Sequence, residues 1–215
     1  MVAFKEPVLM KVLSKMATRR SFLRKKAFLS YRRLYILAVE GRVSEPEYFE
    51  LFNDTSKTVQ IEILKGKDKS APLKLLTRMN KHLKEKGLSH SDQAWIVIDK
   101  DQWKDEHIDI LHKWSQTQTN YGLAVSNPKF EYWLLLHFED GHGISSVREC
   151  ERRLRKYLPE YEKTIDIRKI NTEQINAAVS RAKIRDRPQC IDWPKMLGTT
   201  TVYRLVEIIL QGSSL

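Results

Sequence analysis

Short apolar runs alternate with amphipathic segments through the middle of the chain. Four runs have the length and the branched or aromatic content typical of strands, at residues 33–40, 59–64, 94–98 and 121–125. Helices are predicted in the segments that follow these strands, at residues 44–52, 72–87, 105–117 and 130–138. Strands that alternate with helices at this spacing predict an α/β fold, with a mainly parallel four-stranded sheet flanked by helices.

The pattern changes after residue 141, where helical segments follow one another and no further strand is predicted. These segments cover residues 145–158, 171–185 and 199–211. We therefore expect a helical C-terminal extension over residues 141–215 that packs on an α/β core over residues 32–140. Ahead of the core, residues 1–31 combine many basic residues with apolar residues at helical spacing. This part is predicted to be a basic N-terminal helical arm.

The formal net charge of +11 is concentrated at the two ends of the chain. Residues 1–33 carry ten Lys or Arg and a single Glu, whereas residues 34–140 carry 14 basic and 17 acidic residues. Residues 141–215 are again basic, with 14 basic and nine acidic residues. A slightly acidic core between basic segments suits an acidic metal pocket with phosphate-binding surfaces beside it. The basic N-terminus could equally be a solvated tail, a partner-binding helix or a transit peptide.

The cysteines and the hydropathy of the chain argue against several classes of protein, namely zinc-binding, disulfide-rich, membrane-spanning and secreted proteins. Cys150 and Cys190 have no Cys or His at metal-ligand spacing, so we expect neither a zinc site nor a disulfide framework. No apolar run approaches the roughly 18 residues that a membrane span needs, so no membrane is expected as a partner. Basic residues interrupt the apolar ones near the N-terminus, so no secretory signal is expected and a cytoplasmic location fits.

Two short acidic signatures, each directly after a predicted strand, are the candidate chemistry. Glu40 and Gly41 follow the first strand, and Asp99, Lys100 and Asp101 follow the third. In open α/β sheets, ligands bind in the crevice outside the carboxyl ends of the strands. Carboxylates that meet there would form an all-oxygen site of the kind that suits Mg²⁺ or Mn²⁺. Gly41 would let the chain turn sharply and leave room for a phosphate. The same carboxylates could instead lie in solvent or cap the next helix.

These signatures carry a resemblance to known proteins. Residues 39–45 (Val-Glu-Gly-Arg-Val-Ser-Glu) followed by residues 98–101 (Ile-Asp-Lys-Asp) resemble the Toprim fold of topoisomerases, primases and OLD-type nucleases. More narrowly, residues 126–138 (Ser-Asn-Pro-Lys-Phe-Glu-Tyr-Trp-Leu-Leu-Leu-His-Phe) are similar to the RloB family. Residues 200–207 (Thr-Thr-Val-Tyr-Arg-Leu-Val-Glu) add to that match, so the resemblance covers roughly residues 32–210.

The resemblance implies a divalent-metal nuclease and assigns roles to five carboxylates. Glu40 occupies the position of the Toprim Glu that acts as a general acid/base or a metal ligand. Asp99 and Asp101 match the pair that holds Mg²⁺, so these three are the implied catalytic and metal residues. Glu131 matches a further acid of OLD-like nucleases, and Glu45 matches the Glu that could complete a second metal site. Mg²⁺ or Mn²⁺ is the implied cofactor.

Several of these candidate residues could instead have a purely structural role. Glu131 lies in the first turn of its predicted helix, where a carboxylate also stabilises the helix dipole. Glu45 could be a plain N-terminal charge of its helix, and Ser126 could be only a helix cap. His137 lies on the apolar face of the last predicted helix of the core, where a hydrogen-bonded core histidine is the more common finding.

RloB-like proteins are associated with bacterial restriction and abortive phage-resistance loci, often encoded beside an ATPase. The resemblance therefore implies antiviral defence, an AAA- or ABC-type ATPase partner chain, and nucleic acid as substrate, RNA such as tRNA more than DNA. The sequence departs from topoisomerases at Trp103, where a third carboxylate often follows, and Asp105 is the next candidate. The chain also lacks a Gly-x-x-x-x-Gly-Lys-[Ser/Thr] loop, so any ATP is used by another chain.

Basic residues near the acidic signatures and on the C-terminal helices are candidates for nucleic-acid binding. They are Lys100, Arg152, Arg153, Arg181, Lys183 and Arg185. Arginine binds planar phosphate groups well, and such contacts weaken steeply as salt rises. The same residues could be the solvated faces of supporting helices, or could bind an acidic partner.

Three classes of function remain open at this point. The first is a Toprim nuclease in phage defence, which the set of carboxylates favours, since acids near one another need a cation to compensate their charge. The second is a non-catalytic Toprim scaffold that binds nucleic acid or a partner ATPase as a regulatory subunit. The third is a primase-like nucleotidyltransferase, which would require a nucleoside triphosphate. Oligomerisation is possible and cannot be read from the sequence.

Overall fold

The computed structural model describes residues 32–55, 58–66, 71–161, 164–166 and 169–213. All the described residues belong to one compact unit, which begins at Arg32. The predicted basic arm over residues 1–31 lies outside the described residues. The three-part division at residues 31 and 140 stays a prediction.

A five-stranded sheet forms the centre of the described unit. Its strands are β1 (Arg33–Val39), β2 (Val59–Ile63), β3 (Gln93–Asp99), β4 (Tyr121–Asn127) and β5 (Thr199–Thr200). They lie in the order β2-β1-β3-β4-β5. The first four are parallel and β5 pairs antiparallel with β4. The predicted α/β fold with a mainly parallel sheet is therefore confirmed.

The fifth strand corrects the expected strand count of four. Residues 199–211 were predicted to be one helix, but the first two of them pair with the end of β4. The hydroxyl of Thr201 accepts a hydrogen bond from the backbone N–H of Val125, and the backbone N–H of Thr201 donates to the carbonyl of Val125. A strand of two residues is too short to show alternation, so the hydrophobic pattern alone does not predict it.

Seven helices flank the sheet within the described part of the chain. They are α1 (Ser44–Thr55), α2 (Pro72–Lys86), α3 (Asp105–Ser115), α4 (Phe130–Leu135), α5 (Val147–Tyr157), α6 (Thr172–Arg185) and α7 (Val202–Ser213). The last three agree with the predicted helical C-terminal part. The helix α4 ends at Leu135, three residues earlier than the sequence pattern predicts. Within the described residues, no helix has both the length and the apolar character of a membrane span.

Side chains on the two faces of the sheet form two separate apolar clusters. In β1, Tyr35 and Leu37 belong to the first cluster, whereas Ile36 and Ala38 belong to the second. The helices α1, α4, α5, α6 and α7 pack in the first cluster, and α2 and α3 pack in the second with Trp193. Both faces of β1 and β3 are thus covered, which explains why these strands are continuous apolar runs.

The strand order places a crevice beside the end of β1. The chain passes from β1 outward to β2 on one side, and then returns to β3 on the other side of β1. The loops that follow two neighbouring strands then run in opposite directions and leave a crevice at the carboxyl ends of those strands. Ligands of open α/β folds bind in such a crevice. In this chain the crevice lies between the ends of β1 and β3, which are the positions of the two acidic signatures.

Candidate functional site

A cavity of about 340 Å³ opens at the carboxyl ends of β1 and β3. Four carboxylates from four elements line it: Glu40 directly after β1, Glu45 in the first turn of α1, Asp99 at the end of β3 and Glu131 in the first turn of α4. We call it the acidic cavity. The structure therefore brings together four of the five carboxylates that the sequence singled out.

Residues at the end of β3 and in the loop after it hold Glu40 in place by hydrogen bonds. Its backbone N–H donates to the carbonyl of Val97 at 3.1 Å, which extends the β1–β3 pairing by one residue. Its Oε2 accepts from the backbone N–H of Asp99 at 3.3 Å and from the indole Nε1–H of Trp103 at 3.0 Å. The position at which the sequence departs from topoisomerases thus supplies a hydrogen-bond donor to Glu40.

Gly41 makes room for the side chain of Glu45. The backbone N–H of Gly41 donates to Oε1 of Glu45 at 2.8 Å. A Cβ atom at residue 41 would lie 1.8 Å from Oε2 of Glu45, so no larger residue fits without moving this carboxylate. The side of Gly41 that a Cβ would occupy is therefore filled by a carboxylate, while Gly41 also lines the acidic cavity, and the expectation that it leaves room for a phosphate stays a prediction. The backbone of Gly41 is also outside the left-handed region.

Asp99 joins the end of β3 to the start of α4. Its Oδ1 accepts a hydrogen bond from the backbone N–H of Phe130 at 2.7 Å, in a contact that spans 31 residues of sequence. Asp99 also pairs in register with Ser126 of β4. Its carboxylate does cap a helix, as one reading of the sequence expected, but the helix is α4 and not the one that follows β3.

Tyr161 links two residues of the acidic cavity, and the sequence analysis missed it. Its hydroxyl donates to Oε1 of Glu131 at 3.2 Å and lies 2.8 Å from the hydroxyl of Ser44. A tyrosine has a single O–H, so Ser44 is the donor in the second contact. Burial, and then the charge of Glu131, raise the pKa of Tyr161, which keeps this hydroxyl protonated.

Burial and mutual repulsion dominate the electrostatics of the acidic cavity. The exposed fractions are 2% for Glu40, 5% for Glu45, 9% for Asp99 and 3% for Glu131. Burial raises the pKa of Asp99 well above its usual range, and the charges of Glu45, Glu40 and Glu131 raise it further. Burial, with smaller contributions from Glu131 and Glu40, raises the pKa of Glu45 to about 7. Carboxylates that repel one another out of water need protons or a cation to compensate their charge.

The donor set suits a divalent cation in chemistry and in charge. All four carboxylates offer oxygen, which is the ligand that Mg²⁺ and Mn²⁺ take in proteins. As they stand, however, no group of three or more His, Cys, Asp or Glu side chains in the described residues is arranged to hold one ion. Glu45, Asp99 and Glu131 are hydrogen-bonded to protein donors instead. Ligation would therefore require these side chains to exchange protein donors for the ion.

Asp101 does not line the acidic cavity. Its backbone N–H donates to the carbonyl of Pro128 at 3.0 Å, and its carboxylate lies 3.5 Å from Nζ of Lys129. Lys129 does line the cavity, and its ammonium is also 3.9 Å from the carboxylate of Glu151. The second Asp of the Asp-x-Asp signature thus pairs with a cation, and its role as a metal ligand stays a prediction.

Lys100 is directed away from the acidic cavity. Its ammonium donates to the carbonyl of Trp103 at 2.6 Å and lies 3.1 Å from the carboxylate of Asp105. It also lies 5.6 Å from the ring centre of Trp193. A nucleic acid would have to displace these partners in order to contact Lys100.

The basic residues predicted on the C-terminal helices are all engaged within the protein. Arg152 forms two hydrogen bonds with Glu149, Arg153 pairs with Glu139, and Lys183 pairs with Glu207. On α6, Arg181 donates to the carbonyl of Leu136 at 2.7 Å, and Arg185 contacts the hydroxyl of Tyr132. The pairs of Arg152 and Lys183 are exposed, and exposed ion pairs are weak. Phosphate binding by these basic residues stays a prediction.

His137 belongs to the core beneath the acidic cavity. Its Nε2 lies 3.2 Å from the hydroxyl of Tyr48, and its Nδ1 contacts the carbonyls of Trp133 and Leu134. Burial lowers the pKa of His137 to about 4, so the ring is neutral near pH 7. These contacts give His137 a structural position, in agreement with its predicted place on the apolar face of the helix.

Comparison with known proteins identifies one family. A family model described as RloB-like protein matches residues 35–209, which is most of the chain. The matched segment contains all four carboxylates of the acidic cavity and Tyr161. No curated protein and no solved structure matches the chain.

Proposed function

This chain belongs to the RloB-like family, and we propose that it is a divalent-metal-dependent nuclease built on a Toprim-like core. The reaction is hydrolysis of a phosphodiester bond in the acidic cavity. Glu40, Glu45, Asp99 and Glu131 hold one or two Mg²⁺ or Mn²⁺ ions there. Asp101 contributes once Lys129 is drawn away from it.

One observation carries this proposal. Four buried carboxylates from four separate elements meet in one cavity, at the point where the order of the parallel strands reverses. Burial of several like charges is costly, and a fold that needed only a stable core would have no use for it. A bound divalent cation would compensate that charge, and perturbed carboxyl groups in a cleft are typical of functional sites.

The roles of the side chains follow from their present contacts. A divalent ion supplies positive charge where negative charge develops on the phosphoryl oxygens during hydrolysis. Glu40 is oriented by the backbone of Asp99 and the indole of Trp103. Tyr161 orients Glu131, and Gly41 orients Glu45. These contacts keep each carboxylate at the wall of the cavity, and ligation would exchange some of them for contacts with the ion.

The substrate and biological setting are proposed from family membership. We propose RNA, such as tRNA, as the substrate, and a role in bacterial antiviral defence beside a partner ATPase in the cytoplasm. The absence of a phosphate-binding Gly-Lys loop in this sequence supports the assignment of ATP to another chain. A nuclease of this kind is expected to require activation by its partner before it cuts.

Titration of Mn²⁺ followed by calorimetry tests the metal site directly, without any need for activation. Wild-type protein is compared with the double variant Glu40→Gln plus Asp99→Asn. The control is Glu106→Gln, which removes one negative charge from an exposed position in the first turn of α3. We expect micromolar to millimolar binding in wild type and control, and loss of binding in the double variant.

Equal heats from all three proteins would overturn the metal site and with it the nuclease. Melting temperatures of the three proteins, measured without metal, separate loss of ligands from loss of fold. If Mn²⁺ binds, cleavage of tRNA and of DNA is then compared with and without the partner ATPase. Protein that binds Mn²⁺ but leaves both nucleic acids intact under every condition would contradict the nuclease alone.

A second candidate is a non-catalytic subunit that binds nucleic acid or the ATPase. Two observations favour it: Asp101 pairs with Lys129, and three of the cavity carboxylates are hydrogen-bonded to the protein itself. In that case the buried acids remain partly protonated and serve the packing of α1 and α4. The calorimetric comparison distinguishes the two candidates, because a scaffold of this kind would release no heat with Mn²⁺.

A further inference from the structure

Lys129 lies at the wall of the acidic cavity, beside the four carboxylates, yet its charge is paired with two carboxylates elsewhere. Its ammonium is 3.5 Å from the carboxylate of Asp101 and 3.9 Å from that of Glu151. Neither of these two acids is among the described residues that line the cavity. One cation of an acidic site therefore holds one of the five candidate acids, Asp101, outside that site.

Backbone hydrogen bonds fix the place where Lys129 and Asp101 meet. The N–H of Asp101 donates to the carbonyl of Pro128 at 3.0 Å, and the N–H of Phe130 donates to Oδ1 of Asp99 at 2.7 Å. Lys129 lies between these two bonds, so the chain that follows β3 is tied to the chain before α4 on either side of it. Because both backbones are anchored, a change of partner at Lys129 needs only rotation of side chains.

The ion pairs of Lys129 are loose enough to be exchanged. Their distances of 3.5 Å and 3.9 Å exceed the roughly 2.7–2.9 Å of a charge-assisted hydrogen bond. The side chains of Lys129, Asp101 and Glu151 are all partly exposed, and ion pairs of this kind contribute little energy. A divalent ion offers a carboxylate twice the charge at about 2.1 Å, so it can displace the ammonium.

We propose that the ammonium of Lys129 competes with a second divalent ion for Asp101. While the pair is formed, Asp101 is turned toward Lys129, and the four carboxylates of the acidic cavity hold a single ion. When the ammonium leaves, Asp101 supplies the further oxygen ligand that a second ion needs. Lys129 is thus a positioning residue, which sets the number of ions in the cavity through Asp101.

This inference rests on the proposed function and deepens it by naming how the same site is regulated. In two-metal hydrolysis, one ion stabilises the attacking oxygen and the other stabilises the leaving oxygen. A cavity with one ion is therefore incomplete for this reaction. Lysine suits such a role, because its ammonium is a compact charge on a flexible stem and can change partners without a fixed geometry.

The test is the number of Mn²⁺ ions bound per chain and their affinity, measured by calorimetry and equilibrium dialysis without nucleic acid. Lys129→Met removes the ammonium, and Lys129→Arg keeps the positive charge. Asp101→Asn is studied alone and together with Lys129→Met. The matched control is Glu151→Gln, which removes the other carboxylate partner of Lys129 and leaves its pair with Asp101 in place.

We expect wild type to bind a single ion and Lys129→Met to bind a second one, with affinity for the first ion about tenfold tighter. Lys129→Arg and Glu151→Gln should stay within about twofold of wild type and bind no second ion. Asp101→Asn should also bind a single ion. In that background Lys129→Met should add no second ion and change the affinity by less than about threefold, because the competition has lost its object.

The inference is overturned if Lys129→Met binds Mn²⁺ as wild type does. It is equally overturned if Lys129→Met has the same effect with and without Asp101, since loss of charge alone would explain that result. In both cases wild type still binds Mn²⁺, and the proposed function stands. Lys129→Gln removes the same charge and gives the same comparison if melting temperatures show that Lys129→Met fails to fold.

Two further outcomes separate the inference from the proposed function. A second ion in Lys129→Met, in protein that leaves RNA and DNA intact under every condition, would keep the role of Lys129 and reject the nuclease. No Mn²⁺ binding in wild type or in any variant would overturn both.

Discussion

The two cavities beside Glu40 use opposite charges and different degrees of burial. The four carboxylates of the acidic cavity are almost completely buried. The cations at the second cavity, which opens at the carboxyl ends of β1 and β2, are exposed in Lys65 and Arg42 and half-buried in Arg78. Buried charge is costly and shifts pKa values, while exposed charge is nearly free of cost and is screened by salt. The acidic cavity therefore influences the stability of the whole fold. Substitution of an exposed cation at the second cavity should have little effect on the fold.

The difference also shows what each side of β1 contributes. Between β1 and β3, carboxylates from four elements line one cavity, and three of them are hydrogen-bonded to protein donors. Between β1 and β2, one arginine is fixed against a carbonyl and a glycine.

The largest effect on activity is expected from Asp99→Asn, which changes only the acidic cavity. We expect cleavage of RNA to fall about 10³-fold, as for loss of a group that stabilises the transition state. The side-chain oxygen of Asn can still accept from the N–H of Phe130, and one buried negative charge is removed. Thermal unfolding without metal should therefore show equal or higher stability. A large drop in melting temperature would contradict this account of the cavity.

The dependence of stability on pH sharpens the comparison further, because burial shifts the pKa values of Glu45 and His137 strongly. The pKa of Glu45 is raised to about 7 from 4.5, so its contribution to stability is full below pH 4.5 and is lost as pH rises through 7. The pKa of His137 is lowered to about 4 from 6.5, so stability is lost as pH falls through that window. Each contribution amounts to about 3 kcal/mol, and the two oppose each other.

Chemical denaturation between pH 4 and pH 7 can separate these contributions. In Glu45→Gln without metal, the His137 contribution is no longer opposed by Glu45, so the free energy of unfolding should fall by about 2 kcal/mol more than in wild type as pH drops from 6.5 to 4. Lys65→Gln, at the second cavity, should follow the wild-type curve throughout. Parallel curves for wild type and Glu45→Gln would show that Glu45 titrates normally.

The two glycines test the cavities against each other without changing any charge. Gly41→Ala would displace the carboxylate of Glu45, and Gly66→Ala would displace the guanidinium of Arg78. We expect Gly41→Ala to weaken Mn²⁺ binding about tenfold and Gly66→Ala to leave it within about twofold of wild type. If calorimetry showed that both variants weaken Mn²⁺ binding equally, the two cavities would have to be treated as one site.

The smallest effect is expected from Tyr161→Phe, which removes one hydroxyl at the edge of the acidic cavity. Ser44 and Glu131 each lose a partner, which should cost about 1 kcal/mol of stability and about fivefold in Mn²⁺ affinity. Tyr157→Phe is the matched control, because the hydroxyl of Tyr157 donates to Glu139 at an exposed position. Calorimetry and thermal unfolding of both variants measure the difference.

The sequence predicts the main sheet and two of the four cavity carboxylates for a simple physical reason. Buried parallel strands are continuous apolar runs, and Glu40 and Asp99 stand where such runs end. Glu131 and Glu45 could be expected near the site only through the resemblance to a family. Periodicity reports which face of an element is buried, and it does not report which side chains of separate elements meet.

Tertiary contacts account for what the sequence could not predict. Tyr161 reaches Ser44 across 117 positions of sequence, from a segment without regular structure. Arg78 lies on a predicted helix among other basic residues, and the hydrophobic pattern does not show that its guanidinium bonds to the carbonyl of Leu64. The pairing of Asp101 with Lys129 is likewise invisible in an Asp-x-Asp pattern.

The hydrogen bond from Trp103 to Glu40 gives the acidic cavity an optical signal of its own. Indole emission depends on the partner of its N–H, and an ion that draws the Glu40 carboxylate toward itself would change that partner. The chain has five tryptophans, so the difference in spectrum between wild type and Trp103→Phe isolates this one. Occupancy of the cavity can thus be followed by fluorescence in unlabelled protein, before any substrate is known.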